Sequence, residues 1–522
     1  MRRTRIATAV AAVAVATAVL PALAQAATCT LPTGNNAADN SYLSGGSTQT
    51  FSGHFGPELN GQFVQIPFDV ANGITGMKIR YCYAKSAGAD DNPTLDLGVY
   101  GARPNGQDTW TMAERRGWSG SAVKAIGIGG NGYSPEGQYN QASVTKRKDY
   151  TPGYTTRAYK PGPIGQGKWA VELGAGWIDP NGAGVDWQVE VTTSTAAEWS
   201  NNLFSPDPYT PYTANPAAGW YTGDLHVHGE MEPGNAPMSQ TFTKGFDPLA
   251  SGGSGLDFMT IVDHNNDNSR QILGSYPASY PGKLIIPGVE VTTYNGHANS
   301  QDSSYFADFR MSTIYRWDDT NSNNTEEDGE LIQVRGPIDP SSQFQKILDG
   351  GGWSQVNHPT IYRSAPSVCR GCAWNYSDQQ TDFSKVSAIE LQTGPAGLPA
   401  NAPNAMNPFT LSAIGYYEHA LATGAHVAAV GSSDDHQGGA ATGITDSPVG
   451  RGATVVHAAA LNPASITAAV RAGHTYVKPF GADAPDVELS ATTPEGKSGI
   501  PGDSLIGSGL DLKIKVARAS RK

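Results

Sequence analysis

Six short apolar runs, each carrying or followed closely by residues that bind metal ions, constrain this chain more than any other feature. They span 223–227, 256–262, 284–291, 353–356, 386–391 and 426–430. The first carries Asp224, His226 and His228, and the second ends in Asp263, His264 and Asn265. The third holds Glu290, with His297 seven residues on. Asn357 and His358 close the fourth, Glu390 lies in the fifth, and Asp434, Asp435 and His436 follow the sixth. The longer segments between them hold helical candidates at 342–348 and 411–423. A further one at 463–472 has Asn462 as its cap and Gly473 as its stop signal. Strands alternating with helices imply an α/β unit with a largely parallel sheet. In a barrel of that kind the C-terminal strand ends build the active site.

The spacing carries chemistry. Side chains two apart on a strand share a face, so His226 and His228 point together, as do Asp434 and His436. Imidazole combined with carboxylate suits Zn, Mn or Fe and disfavours an oxygen-only site. One tetrahedral zinc needs three protein ligands and a water. Eight of the eleven histidines lie between 226 and 436, and the inventory exceeds one ion's needs, so two or three divalent ions are expected. A bridging carboxylate must hold like-charged ions close, and Glu290 is the choice. Glu390 stays open between ligand, general base and a group that orients a ligand. Arg363 and Arg370 follow His358 near the same rim, where they can meet a substrate anion. His54, His419, His457 and His474 read as structural or surface residues, and His426 begins its run at the opposite end.

The rest of the chain reads differently. Residues 1–26 have the basic start, apolar middle and Ala-x-Ala end of a secretory leader, which predicts export and cleavage near Ala26. Residues 27–197 are an all-β pattern, with runs at 62–70, 77–84, 95–100, 169–173 and 185–192 set apart by Gly, Pro and Asn. This is the signature of a β-sandwich. Gly127, Gly129 and Gly132 match a nucleotide fingerprint but lack its βαβ setting. A linker is expected at 198–220, the α/β unit at 221–480 and a short β-module, cut short, at 481–522. The acidic run 318–330 reads as a solvated loop. Nothing after the leader is apolar enough to span a membrane.

The formal charge of −12 becomes −15 without Arg2, Arg3 and Arg5. An acidic protein does not bind long nucleic acid non-specifically, because that requires a cationic footprint. Four cysteines in an exported chain favour disulfides. Cys29–Cys82 would staple the N-terminal strand, and Cys369 and Cys372 most simply pair within their loop. No obligate protein partner is evident.

Taken in order, Asp224-Leu225-His226-Val227-His228, Val262-Asp263-His264-Asn265, Gly288-Val289-Glu290, Asn357-His358-Pro359 and Ser433-Asp434-Asp435-His436 resemble the polymerase and histidinol phosphatase (PHP) superfamily. Glu290-Val291-Thr292-Thr293, Gly296-His297-Ala298-Asn299 and Phe51-Ser52-Gly53-His54-Phe55-Gly56 resemble its secreted CehA/McbA group of metallohydrolases. The resemblance implies a distorted (βα)7 barrel behind the N-terminal β-sandwich, usually with three metals. It implies that His226, His228, Glu290 and Asp434 hold one ion. His264 and His436 would hold a second, and Glu290, His297 and His358 a third. Asp263 would orient a ligand histidine. The chain departs from the pattern at Gly229-Glu230-Met231-Glu232-Pro233, where many members carry another His. Glu230 or Glu232 is an oxygen donor that can stand in. The function expected is hydrolysis of a small-molecule phosphoester by metal-activated hydroxide. Carbamate or carboxylic ester hydrolysis at the same site is the alternative, and an inactive metal- or glycan-binding protein a second.

Overall fold

The computed structural model describes residues 29–32, 41–85, 93–134, 150–233, 235–327, 329–364, 369–394, 407–440 and 447–517. The leader expected at 1–26 lies outside them. The described chain is mixed α/β and strand-rich.

Eight strands open the fold: β1 (Thr48–Phe55), β2 (Phe63–Val70), β3 (Gly76–Lys85), β4 (Thr94–Tyr100), β5 (Arg115–Trp118), β6 (Ala125–Gly129), β7 (Gly167–Trp177) and β8 (Val185–Ser194). One sheet is ordered β1-β8-β3-β6, and a second contains β2-β7-β4-β5. Alternation along β8 explains the pairing of faces. Val185, Trp187, Val189 and Val191 turn inward, where they join Val64, Leu97 and Val171 of the other sheet in one buried core. The nucleotide-like glycines have a packing role. A Cβ on Gly129 would lie 2.6 Å from the indole of Trp199, and one on Gly127 about 3.0 Å from it. Cys29 pairs with Cys82 of β3, so this link fastens a segment ahead of β1 and not a strand. Cys369 pairs with Cys372.

The second unit is built on β9 (Gly219–Val227), α1 (Met238–Phe246), β10 (Phe258–Ile261), β11 (Leu284–Thr293), β12 (Gly296–Gln301), β13 (Ile314–Trp317), β14 (Leu331–Arg335), α2 (Pro340–Asp349), β15 (Trp353–Val356), β16 (Ala388–Thr393), α3 (Pro408–Ala422), β17 (Ala428–Ser432), β18 (Ala453–Ala458), α4 (Pro463–Arg471) and β19 (Thr475–Lys478). Nine of these strands form a single sheet, β17-β16-β15-β12-β11-β10-β9-β18-β19. It differs from the seven βα repeats that the resemblance implies. β12 runs antiparallel to both β11 and β15, and β18 runs antiparallel to β9 and β19. Among the described residues only α1 to α4 are helices of eight residues or more. The sheet's two edges meet through side chains: Thr454 of β18 accepts from Gly431 N at 2.9 Å, and Thr475 of β19 donates to Ala429 O at 2.8 Å. The Asn462 side chain caps α4, accepting from Ser465 N at 2.8 Å.

β13 and β14 leave this sheet. β13 runs parallel to β2, so the second sandwich sheet is β14-β13-β2-β7-β4-β5. The acidic segment between them is anchored through two of its glutamates. Glu330 is buried and accepts from Trp317 Nε1 at 3.0 Å, and Glu326 accepts from His54 N at 3.1 Å. Its middle residues are exposed. Residues 486–517 form a small three-stranded sheet.

Candidate metal centre

Parallel β9, β10 and β11 bring three sets of donors to one end of the sheet. On β9, Leu225 and Val227 are buried in apolar clusters, which sends Asp224 and His226 to the opposite face. His228 continues that face just past the strand. Asp224 does not join the donors. It accepts from Ser433 N at 3.0 Å and Gly450 N at 2.8 Å, tying β9 to the loop that carries Asp434.

The centre is organised around one carboxylate. Glu290 has no solvent exposure. Its Oε1 lies 3.3 Å from His226 Nε2, 3.2 Å from His297 Nδ1 and 3.4 Å from His358 Nε2. Its Oε2 lies 2.7 Å from His264 Nδ1 and 3.5 Å from His228 Nε2. Five imidazoles thus meet one buried carboxylate. Asn357 steadies it, donating to Oε1 at 3.0 Å. Asp434 Oδ1 lies 2.9 Å from His228 Nε2 and 3.2 Å from His226 Nε2. His264 Nε2 and His436 Nε2 approach to 3.3 Å.

These residues fall into four groups whose donor atoms are close enough to share an ion. They are His226, His228, Glu290 and Asp434; His228, Glu232, His264 and His436; Glu290, His297 and His358; and His226, His358 and Glu390. Two donors sit in the left-handed region that side chains adopt uncommonly: Asp434 has φ 61° and His358 φ 27°.

Charge and burial oppose each other throughout. Burial disfavours the charged form of Glu290, yet His264, His226 and His297 hold its pKa well below the usual carboxylate range. Burial likewise works against a charged His226, but Asp434, Glu290 and Glu390 raise it well above its usual value. Asp434 is lowered by His226 and His228 despite its burial. His436 moves the other way, to about 4, through burial and the nearby His228. Such a set suits divalent ions, because imidazole and carboxylate are their borderline-soft and hard donors. The Oε2 of Glu290 is buried and accepts no hydrogen bond, an orphaned atom that ligation would satisfy.

One residue differs from the sequence expectation, and two that it left open take definite places. Asp263 touches no histidine: its Oδ1 accepts from Gly229 N at 2.7 Å and its Oδ2 is buried without a partner. It therefore fixes the backbone just after His228. Burial, then the neighbouring Glu232, pushes its pKa up to about 7. Glu390 is fully buried and engaged at both oxygens, with His226 Nδ1 at 3.3 Å, His358 N at 2.8 Å and Thr393 Oγ1 at 2.6 Å. Glu232 enters the cluster. Its Oε1 lies 2.8 Å from His228 Nδ1 and accepts from His264 N. Glu230 turns away to Arg157 of the sandwich, at 3.6 Å.

The remaining histidines are elsewhere. His54 pairs with Asp186, His419 with Asp378 and His474 with Asp503. His457 packs on Trp220, and His426 meets Gly502 O. Arg363 is used on the carbonyls of Pro359 and Trp374.

The sandwich reaches into the site, which no sequence motif announced. Arg115 of β5, fully buried, donates to Asn265 O at 3.1 Å and to Asp267 at 2.6 Å, bracing the loop after His264. A cavity of about 680 Å³ lies between the two units, with Asp96 and the 118–122 loop on one side and Glu232, His264 and His297 on the other.

No protein-family profile matches the chain, and no curated protein matches it. Among solved structures, it is similar to a two-domain protein from Bacteroides vulgatus ATCC 8482 that contains a predicted PHP-like metal-dependent phosphoesterase. The two are 13% identical, with a TM-score of 0.31, over 60% of this chain and 91% of that one. The chain is a strand-rich α/β protein with His, Glu and Asp groups able to hold metal ions.

Proposed function

We propose that the chain is a secreted, metal-dependent phosphoesterase of the PHP superfamily, in its CehA/McbA branch, acting through two or three divalent ions. The observation that carries the reading is Glu290, a buried carboxylate within 3.5 Å of five histidines. Ions held there would supply an activated water and polarise the phosphoryl oxygens. His226, His228, Glu290 and Asp434 form one holding group, with Glu290, His297 and His358 beside it. His264 and His436 complete a third with Glu232. Glu390 orients His226 and fixes the turn at His358, so it is a positioning residue. Glu232 has the same relation to His228, whose Nδ1 it meets. Asp263 secures the turn between them. The leader predicted at 1–26 supports export, and no helix among the described residues is long and apolar enough to cross a membrane.

The test is a hydrolysis panel on the purified protein. It compares chromogenic phosphomonoester, phosphodiester, carboxylic ester and aryl carbamate, with added Mn or Zn, beside His226→Ala. Phosphoester turnover lost in the variant is the expected result. Preference for carbamate or ester would replace the substrate class and keep the residues. No turnover despite bound metal would overturn the reading.

A further inference from the structure

The cavity of about 680 Å³ between the two units has room for a small organic molecule. A phosphoester with its phosphoryl group on the side of His264 and His297 has its organic part in this space. The oxygen that joins the two parts is the atom that departs, and it departs charged unless a proton reaches it. The cavity wall offers few sources for that proton. Glu232, His264 and His297 belong to the metal-holding groups. Arg370 also lines the space, and a guanidinium keeps its proton at any physiological pH. Tyr294 holds its proton too firmly, its pKa raised well above the usual value by burial and then by Asp96. Of the acids and bases on the wall, Asp96 is the one that remains.

Asp96 stands on β4 and is only 7% exposed. The Tyr294 hydroxyl donates to its Oδ2 at 2.9 Å. Tyr294 lies in the turn between β11 and β12, the strands that carry Glu290 and His297, so this bond ties Asp96 to the hairpin of the metal centre. Two glycines of β7 make room for the tyrosine. A Cβ on Gly176 would lie 3.2 Å from its ring, and one on Gly174 would collide with its hydroxyl. The ring stacks on Phe63 with centroids 5.1 Å apart. Tyr81, Tyr83 and Tyr159 face Asp96 from the sandwich and stay neutral, their pKa values raised chiefly by burial. Burial pushes the Asp96 carboxyl up to about 6, against the Tyr294 hydrogen bond and the charges of Lys124 and His264. A carboxyl so placed holds its proton near neutral pH and releases it readily, which suits acid catalysis.

We propose that Asp96 is the general acid of the reaction and gives its proton to the oxygen that leaves phosphorus. The inference rests on the phosphoesterase reading and assigns the acid to the sandwich, outside the metal-binding unit. A water oxygen bonds to phosphorus while the bond from phosphorus to the ester oxygen breaks. The electron pair of that bond stays on the ester oxygen, which takes the Asp96 proton and departs as an alcohol. The water sheds one proton to solvent and the Asp96 carboxylate regains one from it, so only substrate and water are consumed. The Tyr294 hydroxyl stabilises the carboxylate in the interval.

The test is a series of phenyl phosphates, or their methyl diesters, of nearly one size and substituted from p-nitro to p-methoxy. The Mn-loaded full chain hydrolyses them. A nitrophenol oxygen departs with little help, and a methoxyphenol oxygen needs the proton. Asp96→Asn keeps an acceptor for Tyr294 and removes the acid. Its kcat/KM on the p-methoxy ester should fall about 100- to 10,000-fold, the usual worth of a general acid, against less than about tenfold on the p-nitro ester. Its metal content should match that of the wild-type protein. Loss by one common factor along the series overturns the proposal, and so does no loss at all. A fall in metal content also overturns it, because Asp96 would then support the metal centre. If the wild-type protein hydrolyses no member of either series, the phosphoesterase reading fails and this inference fails with it.

Discussion

Replacing Glu232 by Gln exchanges one oxygen for an amide nitrogen and keeps the side chain's volume. Three contacts register the change. The carboxylate lies 2.8 Å from His228 Nδ1, accepts from the main-chain nitrogen of His264 and accepts from Asn235 Nδ2 at 2.9 Å. An amide cannot make all three, and it removes the negative charge that keeps the His228 ring oriented with Nε2 toward Asp434 and Glu290. Loss of such a partner typically weakens metal binding about 10- to 100-fold, or about 1.4–2.8 kcal/mol. The effect should be selective. Glu290, His297 and His358 form a group that contains neither Glu232 nor His228, so an ion held there should keep its affinity. Metal analysis and titration against a competing chelator would show one class of sites weakened and another unchanged. Glu230→Gln, whose partner is Arg157, should leave both classes alone. Wild-type affinity at every site in Glu232→Gln, or loss of all ions together, would refute the assignment of Glu232 to the His264–His436 group.

Arg115→Ala leaves Asn265 O and Asp267 without their buried donor. Lys160 stays 3.1 Å from Asp267, so the cost should be near the low end for a broken buried pair, about 3 kcal/mol; urea melts showing less than ~1 kcal/mol would contradict the bracing role. Burial pushes the Asp96 carboxyl up to about 6, against 3.8 for the group in an unfolded chain. The folded state then holds more protons between pH 3.8 and 6, so this group's contribution to stability falls as pH rises through that window. Asp96→Asn should therefore stabilise by up to about 3 kcal/mol at pH 7 and by little below pH 4, and the opposite trend would count against it. Stripping metal with a chelator should lower Tm, and added Mn or Zn should restore it in a concentration-dependent way, by about 2.7 kcal/mol at a hundredfold excess over Kd. A Tm indifferent to metal would refute ion binding to the folded state.

The donors of the metal centre were legible because strand geometry is local. Once 223–227, 256–262 and 284–291 read as strands, His226, His264 and Glu290 had to gather at one end. Glu232 could not be separated from Glu230 by type or spacing, since the choice is made by which one meets Arg157. Asp263 was misread in its partner, because a carboxylate beside a histidine in sequence does not reveal that a neighbouring backbone amide is nearer. β13 and β14 were hidden by their shortness and by the acidic run between them. The extra antiparallel β12 was hidden too, since Gly296–Gln301 is a polar segment made strand-like by its neighbours on both sides. The cavity wall was illegible in principle, since Asp96, Thr94 and Arg370 meet only after two units have folded together.

The parallel pairing of β13 with β2 sets an order of events during synthesis. β2 has β7 on one side and β13 on the other, so one flank of the early sandwich stays open until residues 314–335 leave the ribosome. At the usual pace of elongation that interval after β8 is roughly ten seconds or more. During it the nascent chain displays an unpaired strand edge, the kind of edge that recruits other chains. The closing strands arrive from the middle of the metal-binding unit. A cut at 197–221 would leave the first half with a missing border and the second with two orphan strands.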